Sequence, residues 1–291
     1  MQTEREVIPV HRMESQSPLG LEFNYIEVKD EHDEIMMKSS KNVLHRDDYY
    51  MFLFMDDASA LFTVDFEELE LQKKSVLYVC PGQVHFATSI SVARGCFLAI
   101  DPMLVGNGYK SLFEGQFATQ KPLALDTSAM AKMGETARLL HSVIQAEPTI
   151  FGKDVILSLA NVFIGVIAEQ YASQKENTLH NKSRSAWIAH RFKRLLTENY
   201  KSTKSPSEYA KMLNYSLSHL NESVKSVTGF TVSHWIHQQV TLEAKRLLYY
   251  TDLDVKEIAF RLGYEDHTYF SRLFSKTVGM PPGTFRCKFH E

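Results

Sequence analysis

Between Leu21 and about Ile100 the apolar positions follow a period of two. Leu21, Phe23 and Tyr25 alternate with Glu22 and Asn24, and Leu69 and Leu71 alternate with Glu68, Glu70 and Gln72. Residues 49–55 and 60–66 are apolar and aromatic runs parted by Asp56-Asp57, which suits a hairpin. Residues 76–80 form another run, stopped by Pro81-Gly82, and 84–88 and 96–100 follow. Many short strands with turn signals this close together predict a small β-barrel or jelly roll.

After Asp101-Pro102 the period changes. The stretch to Pro122 is mixed, with Gly106, Gly108 and Gly115. Asp126 can then cap a helix in which Met130, Met133, Ala137, Leu140 and Ile144 keep helical spacing. A second helix, about 152–170, carries Ile156, Leu159, Val162, Phe163, Val166 and Ile167. That stripe is broad enough to serve the domain's own core or a partner subunit. Residues 173–185 have almost no apolar content and read as a linker. From 186 to 200, Ile188, Phe192, Leu195 and Leu196 face inward. His190, Arg191, Lys193 and Arg194 lie mostly outward, where phosphate contact and plain solvation are both open.

The last hundred residues contain a repeat. In 258–286, Ile258, Ala259 and Leu262 supply the seam of one short helix, and Gly263 sits where the chain must leave it. Tyr264 plugs the corner, Glu265 and Asp266 are candidate caps, and Phe270, Leu273 and Phe274 anchor a second helix. Tyr209, Ala210, Leu213, Asn214 and Tyr215 match the first five of these positions 49 residues upstream. Leu220, Val224, Gly229 and Phe230 match Phe270, Phe274, Gly279 and Met280 at a spacing of 50. Apolar and corner positions are kept while outward residues diverge, as in a duplicated scaffold with two reading heads. The first helix-turn-helix spans about 206–227, with Pro206 at its first helical position. A long amphipathic helix from Thr231 to Tyr250 joins it to the second.

Residues 184–291 resemble the DNA-binding domain of AraC/XylS-family bacterial transcription regulators. The resemblance rests on AKRLLYYTDLDVKEIAFRLGYEDHTYFSRLFSKTVGMPPGTFR and, before it, SLSHLNESVKSVTGFTVSHWI. It implies that Ser218, Asn221 and Glu222 in the first head, and His267, Thr268, Ser271 and Arg272 in the second, contact DNA; His219 also faces out. Arg272 suits guanine, whose O6 and N7 a guanidinium bonds together, and Asn221 suits adenine. Glu222 departs from the family's basic or neutral residue; it accepts from cytosine or repels phosphate. Lys225 and Lys276 are expected on the phosphates. The resemblance further implies a cupin-like N-terminal effector domain, a homodimer, a double-stranded DNA partner, transcription activation and contact with RNA polymerase. The expected fold is α+β in two domains: residues 1–172 as a barrel or jelly roll with two helices, 173–185 as linker, and 186–291 all-α.

Charge sharpens this division. Residues 182–291 hold 17 Lys+Arg against 10 Asp+Glu, a net of +7, whereas the rest holds 15 against 25, a net of −10. A polyanion partner is expected for the C-terminal part alone. Cys80, Cys96 and Cys287 lack zinc spacing, and the first two fit buried thiols in a reducing compartment. The N-terminus lacks a signal-peptide core, and the longest apolar run, 155–168, is too short to span a bilayer. A cytoplasmic protein without membrane contact is expected.

The barrel raises an enzyme alternative. A cupin metalloenzyme places a His-x-His pair and further ligands on adjacent strands. No His-x-His occurs here; His45 precedes Arg46-Asp47 and His85 stands alone in Pro-Gly-Gln-Val-His. Metal binding by His45 and His85 is weighed against satisfied or pocket-lining histidines, and no metal, cofactor or catalytic residue is expected. Tyr49, Phe52, Phe62, His85 and Phe97 are the expected effector-pocket lining. A DNA-modifying enzyme with a targeting tail needs a zinc-tuned nucleophilic cysteine cluster, which Cys80 and Cys96 do not provide.

Overall fold

The computed structural model describes residues 8–27, 35–37, 45–115, 120–176 and 184–289. Contacts divide the chain into two compact units, with residues 9–180 in one and the part from 181 onward in the other. Most of the expected linker, 177–183, lies outside the described residues, while 173–176 are helical.

The first unit is built on a sheet. Its strands and helices are β1 (Val10–His11), α1 (Met13–Gln16), β2 (Leu21–Glu27), β3 (Ile35–Met37), β4 (His45–Asp47), β5 (Tyr50–Val64), β6 (Glu67–Leu71), β7 (Ser75–Val79), β8 (Val84–Ile100), α2 (Asn107–Glu114), β9 (Leu123–Ala124), α3 (Thr127–Gln145) and α4 (Gly152–Glu176). Strand order is β1-β4-β8-β5-β7-β9, with β2 and β3 also on β8 and β6 also on β5. Among the described strands no pairing closes this path, so the finding is a bent sheet.

Two strands are longer than expected. Residues 49–55 and 60–66 merge into the single strand β5, and 84–88 and 96–100 into β8. Asp56-Asp57 makes no hairpin, because cross-strand partners satisfy it. The Arg94 guanidinium pairs with Asp56, and Lys73 Nζ lies 2.6 Å from Asp57. The register of β5 on β8 shifts around Asp57 and again between Leu61 and Phe62, bending both strands. Alternation divides the core into two clusters. Tyr50, Phe52, Phe54, Tyr78 and Leu98 pack with Phe113, Met133, Ala137, Phe163 and Ile167 from the helices. Leu53, Phe62, Val64, Leu71, Leu77 and Val79 form the second cluster.

Asp126 caps α3, accepting from Ala129 N–H at 2.7 Å. By length and composition α4 is long and apolar enough to cross a bilayer, contrary to the reading of its apolar run. Ala160, Phe163, Ile164 and Ile167 are fully buried in the helix-side core, whereas Val162 of the expected stripe is exposed.

The second unit is all helix: α5 (Arg184–Asn199), α6 (Pro206–Met212), α7 (Leu217–Thr228), α8 (Val232–Tyr250), α9 (Val255–Arg261), α10 (His267–Val278) and α11 (Pro282–Phe289). Val240, Ala244, Leu248, Ile258, Ala259, Leu262, Phe270 and Phe274 form the core around the second helix pair.

Candidate nucleic-acid interface

The two helix pairs turn their corners alike. Asn214 and Gly263 both take positive φ, 59° and 79°. Asn214 N–H donates to Lys211 O (3.0 Å) and Tyr215 N–H to Ala210 O (2.9 Å). Forty-nine residues on, Gly263 N–H donates to Phe260 O (2.9 Å) and Tyr264 N–H to Ala259 O (2.9 Å). Only the second corner demands glycine, since a Cβ on Gly263 would lie 1.9 Å from the Lys201 carbonyl oxygen. Asparagine tolerates the left-handed region, and the first corner keeps it.

Capping then starts each outer helix. Ser216 Oγ accepts from His219 N–H at 3.2 Å, and the Asp266 carboxylate from Thr268 N–H at 2.7 Å. The Thr268 N–H bond, before other causes, holds the Asp266 carboxyl below its ordinary range. Buried Leu220 and Val224 anchor α7; Phe270, Leu273 and Phe274 anchor α10.

The outward faces mostly follow the expected residues. Ser218, Glu222 and Lys225 are exposed on α7, and His267, Thr268, Arg272 and Lys276 on α10. His219 is half-buried, its ring 5.2 Å from Tyr215. Asn221 departs from expectation: its Oδ1 accepts from Val232 N–H at 3.0 Å, at the start of α8. It therefore braces the start of α8, which occupies one of the two lone pairs of its acceptor. Ser271, its counterpart, is half-buried and donates to His267 O at 2.8 Å. Two exposed residues escaped the sequence reading, Leu217 (40 %) and Tyr269 (55 %). The signal was present, because Phe270, Leu273 and Phe274 fill the inner arc of α10 and leave position 269 outside.

Three polar devices brace the heads. Glu243 Oε2 and Arg246 Nη1 on α8 meet at 3.0 Å with both side chains buried. Arg286 donates to the carbonyls of Leu248 (3.2 Å), Thr251 (3.3 Å) and Leu253 (2.5 Å), tying α11 to the end of α8. Lys204 Nζ donates to Tyr200 O (2.6 Å) and Lys201 O (2.7 Å) and lies 5.0 Å from the Tyr264 ring centre. Burial pushes its ammonium down to about 8. Lys193 also turns inward, donating to Gln239 Oε1 at 3.0 Å, so it is braced against α8.

In the N-terminal unit the expected pocket residues separate. Phe52 belongs to the helix-side core and Phe62 to the other cluster, where Phe97 also packs. Tyr49 joins a small cluster with Met13 and Ala99. His85 is buried beside Asp47. No single lining holds all five.

Residues 209–288 match the model of a helix-turn-helix domain family. The HTH-type transcriptional activator RhaR of Enterobacter sp. (strain 638) is 42% identical over 67 residues, 23% of this chain and 24% of the relative. The uncharacterized HTH-type transcriptional regulator YisR of Bacillus subtilis (strain 168) is 34% identical over 105 residues, 36% of each chain. The chain thus spans about a quarter to a third of the length of these curated relatives. Among solved structures, the C-terminal domain of AraT, a response regulator from Geobacillus stearothermophilus, is 29% identical. That alignment covers 38% of this chain and 91% of that one with a TM-score of 0.36.

Proposed function

We infer that this protein, whose C-terminal unit is an AraC-type helix-turn-helix domain, is a sequence-specific DNA-binding transcription regulator. The observation that carries this reading is the doubled head: two corners with the same hydrogen bonds, each followed by a capped helix with a buried apolar seam and an exposed polar face. The relatives matched over this unit are transcription regulators by name, which favours regulation over an enzyme with a DNA-targeting tail. RhaR is named an activator, and activation, with RNA polymerase as the contacted partner in the cytoplasm, is the output proposed here.

Arg272 is the proposed guanine reader, Ser218, Glu222, His267 and Thr268 the remaining base-facing residues, and Lys225 and Lys276 phosphate contacts. The N-terminal unit is proposed as a cupin-like effector domain, with Phe62 and Phe97 the retained pocket candidates. The bend of β5 and β8 around the second apolar cluster supports that reading. A homodimer through α3 and α4 is proposed, supported by apolar Leu139, Val155 and Val162, which remain exposed there. Binding of full-length protein to DNA recovered by selection from genomic fragments tests the regulator reading. Saturable, sequence-dependent binding is expected, and equal affinity for all sequences contradicts it.

A further inference from the structure

Four side chains from three strands of the N-terminal unit converge on one point that the DNA-binding reading does not use. β4 pairs with β1 on one side and β8 on the other, with Arg46 opposite Val10 and His45 opposite His85. The Pro81-Gly82 turn is fastened to the same place, since Gly82 N–H donates to the Asp47 carbonyl at 2.8 Å. Around the Asp47 carboxylate stand His11 Nδ1 at 3.6 Å, His45 Nε2 at 3.6 Å and His85 Nε2 at 3.3 Å. The ligand atoms of His11, His45 and Asp47 all lie within 4.8 Å of one another.

The burial of the cluster is the informative part. Asp47 is 3% exposed and His85 2%. His85 Nδ1 lies 3.2 Å from the Gln83 carbonyl oxygen, which can only accept, so Nδ1 carries the proton. Its other nitrogen, Nε2, faces the Asp47 carboxylate. Neither Asp47 oxygen, nor His85 Nε2, has a hydrogen-bond partner of good geometry. Polar atoms left without partners in a dry place lack what burial calls for, and an ion among these side chains would supply it.

We propose that His11, His45, His85 and Asp47 hold a divalent first-row transition-metal ion, of which Zn(II) is the representative. Bonds of about 2.0–2.1 Å to nitrogen and oxygen at tetrahedral angles place ligand atoms about 3.3 Å apart, close to the separations found around Asp47. A nitrogen-rich set with one carboxylate and no thiolate suits this class of ion. The His85–Gln83 bond is the outer contact that fixes a ligating imidazole in its metal-binding tautomer. His11, His45 and Asp47 form the compact group and His85 approaches from the other carboxylate oxygen, so an ion held here fastens β1 to β4 and β8.

Untagged full-length protein, stripped with chelator, is titrated with Co(II) and then Zn(II), following visible absorption, binding heat and melting temperature. One ion per chain is expected, with a tetrahedral Co(II) spectrum that Zn(II) displaces and a higher melting temperature. His11→Ala changes a side chain 41% exposed on a strand of two residues, which keeps the core intact. It is expected to weaken binding about tenfold or more, as even loss of an outer-shell partner does. Asp47→Asn is expected to do the same or more, and His234→Ala with His237→Ala, a pair on α8, to leave binding unchanged. Folded wild-type protein that takes up neither ion overturns the proposal. So does binding that survives His11→Ala at full strength, or that disappears with the α8 pair. None of these outcomes depends on whether the C-terminal unit reads DNA.

Discussion

Arg272 and Asn221 separate reading from building at single positions. Arg272 is exposed on α10, and its loss removes a candidate base contact without touching the core. Arg272→Ala is expected to cost ~1–3 kcal/mol of specific affinity and to relax preference at one base pair, with an unchanged melting temperature. Fluorescence anisotropy against the selected site and its single-base variants measures this. Asn221→Ala is expected to behave in the opposite sense. Its Oδ1 caps the start of α8, so a loss of about 0.5–2 kcal/mol in stability precedes any change in sequence preference. A melting temperature equal to wild type would return Asn221 to the base-reading set. Glu243 and Arg246 supply a third contrast. With both buried, Glu243→Ala takes the carboxylate from a buried guanidinium and is expected to cost about 3–5 kcal/mol, read by chemical denaturation.

The corner of the second helix pair is where elements meet most tightly. Gly263→Ala drives a methyl into the Lys201 carbonyl, whereas Cβ atoms at Gly229 and Gly279 meet nothing within 4 Å. All three have positive φ, so each alanine pays the left-handed penalty, but only Gly263→Ala adds a clash. Denaturation midpoints of the three variants should therefore rank it as clearly the most damaging. Lys204 at the same corner gives the fold a pH dependence. Its ammonium is depressed to about 8 in the folded chain against an ordinary 10.5, so between those values the unfolded chain binds more protons. Its contribution to stability rises with pH across that window, and a neutral amine still has two hydrogens for the Tyr200 and Lys201 carbonyls. Thermal scans from pH 8 to 10 should show this rise in wild type and a flatter profile in Lys204→Met.

These elements also mark how far the sequence was legible. Helical period, the Asn214 and Gly263 corners and the Ser216 and Asp266 caps are local signals within a few residues, and the helices lie where they indicate. The strands were legible only as fragments. Whether Asp56-Asp57 turns the chain or bulges it depends on Arg94 and Lys73, which nothing near position 56 announces. The Asp47 cluster was missed for the same reason: an aspartate fills the second position of the sought His-x-His, and His11 arrives from the other end of a strand pairing. Outward spacing on α7 likewise does not disclose that α8 begins against Asn221, whose bond to Val232 N–H appears only in the fold.

At the scale of the whole molecule, charge separates the units. A net of +7 in residues 182–291 against −10 in the rest directs polyanions to the helical unit. DNA affinity should fall log-linearly with salt, with a slope of roughly −0.9 per phosphate neutralised, and Lys276→Ala should reduce that slope by about one phosphate. The central claim is that the duplicated helix pairs are two readers of one site. Selection of genomic fragments by full-length protein and by its Arg272→Ala variant tests it most directly. The account predicts a recovered site with two motifs about one helical turn, roughly 34 Å, apart, and loss of preference in only one motif with the variant. Recovery of no common sequence, or of a site whose motifs are both indifferent to Arg272→Ala, would contradict it.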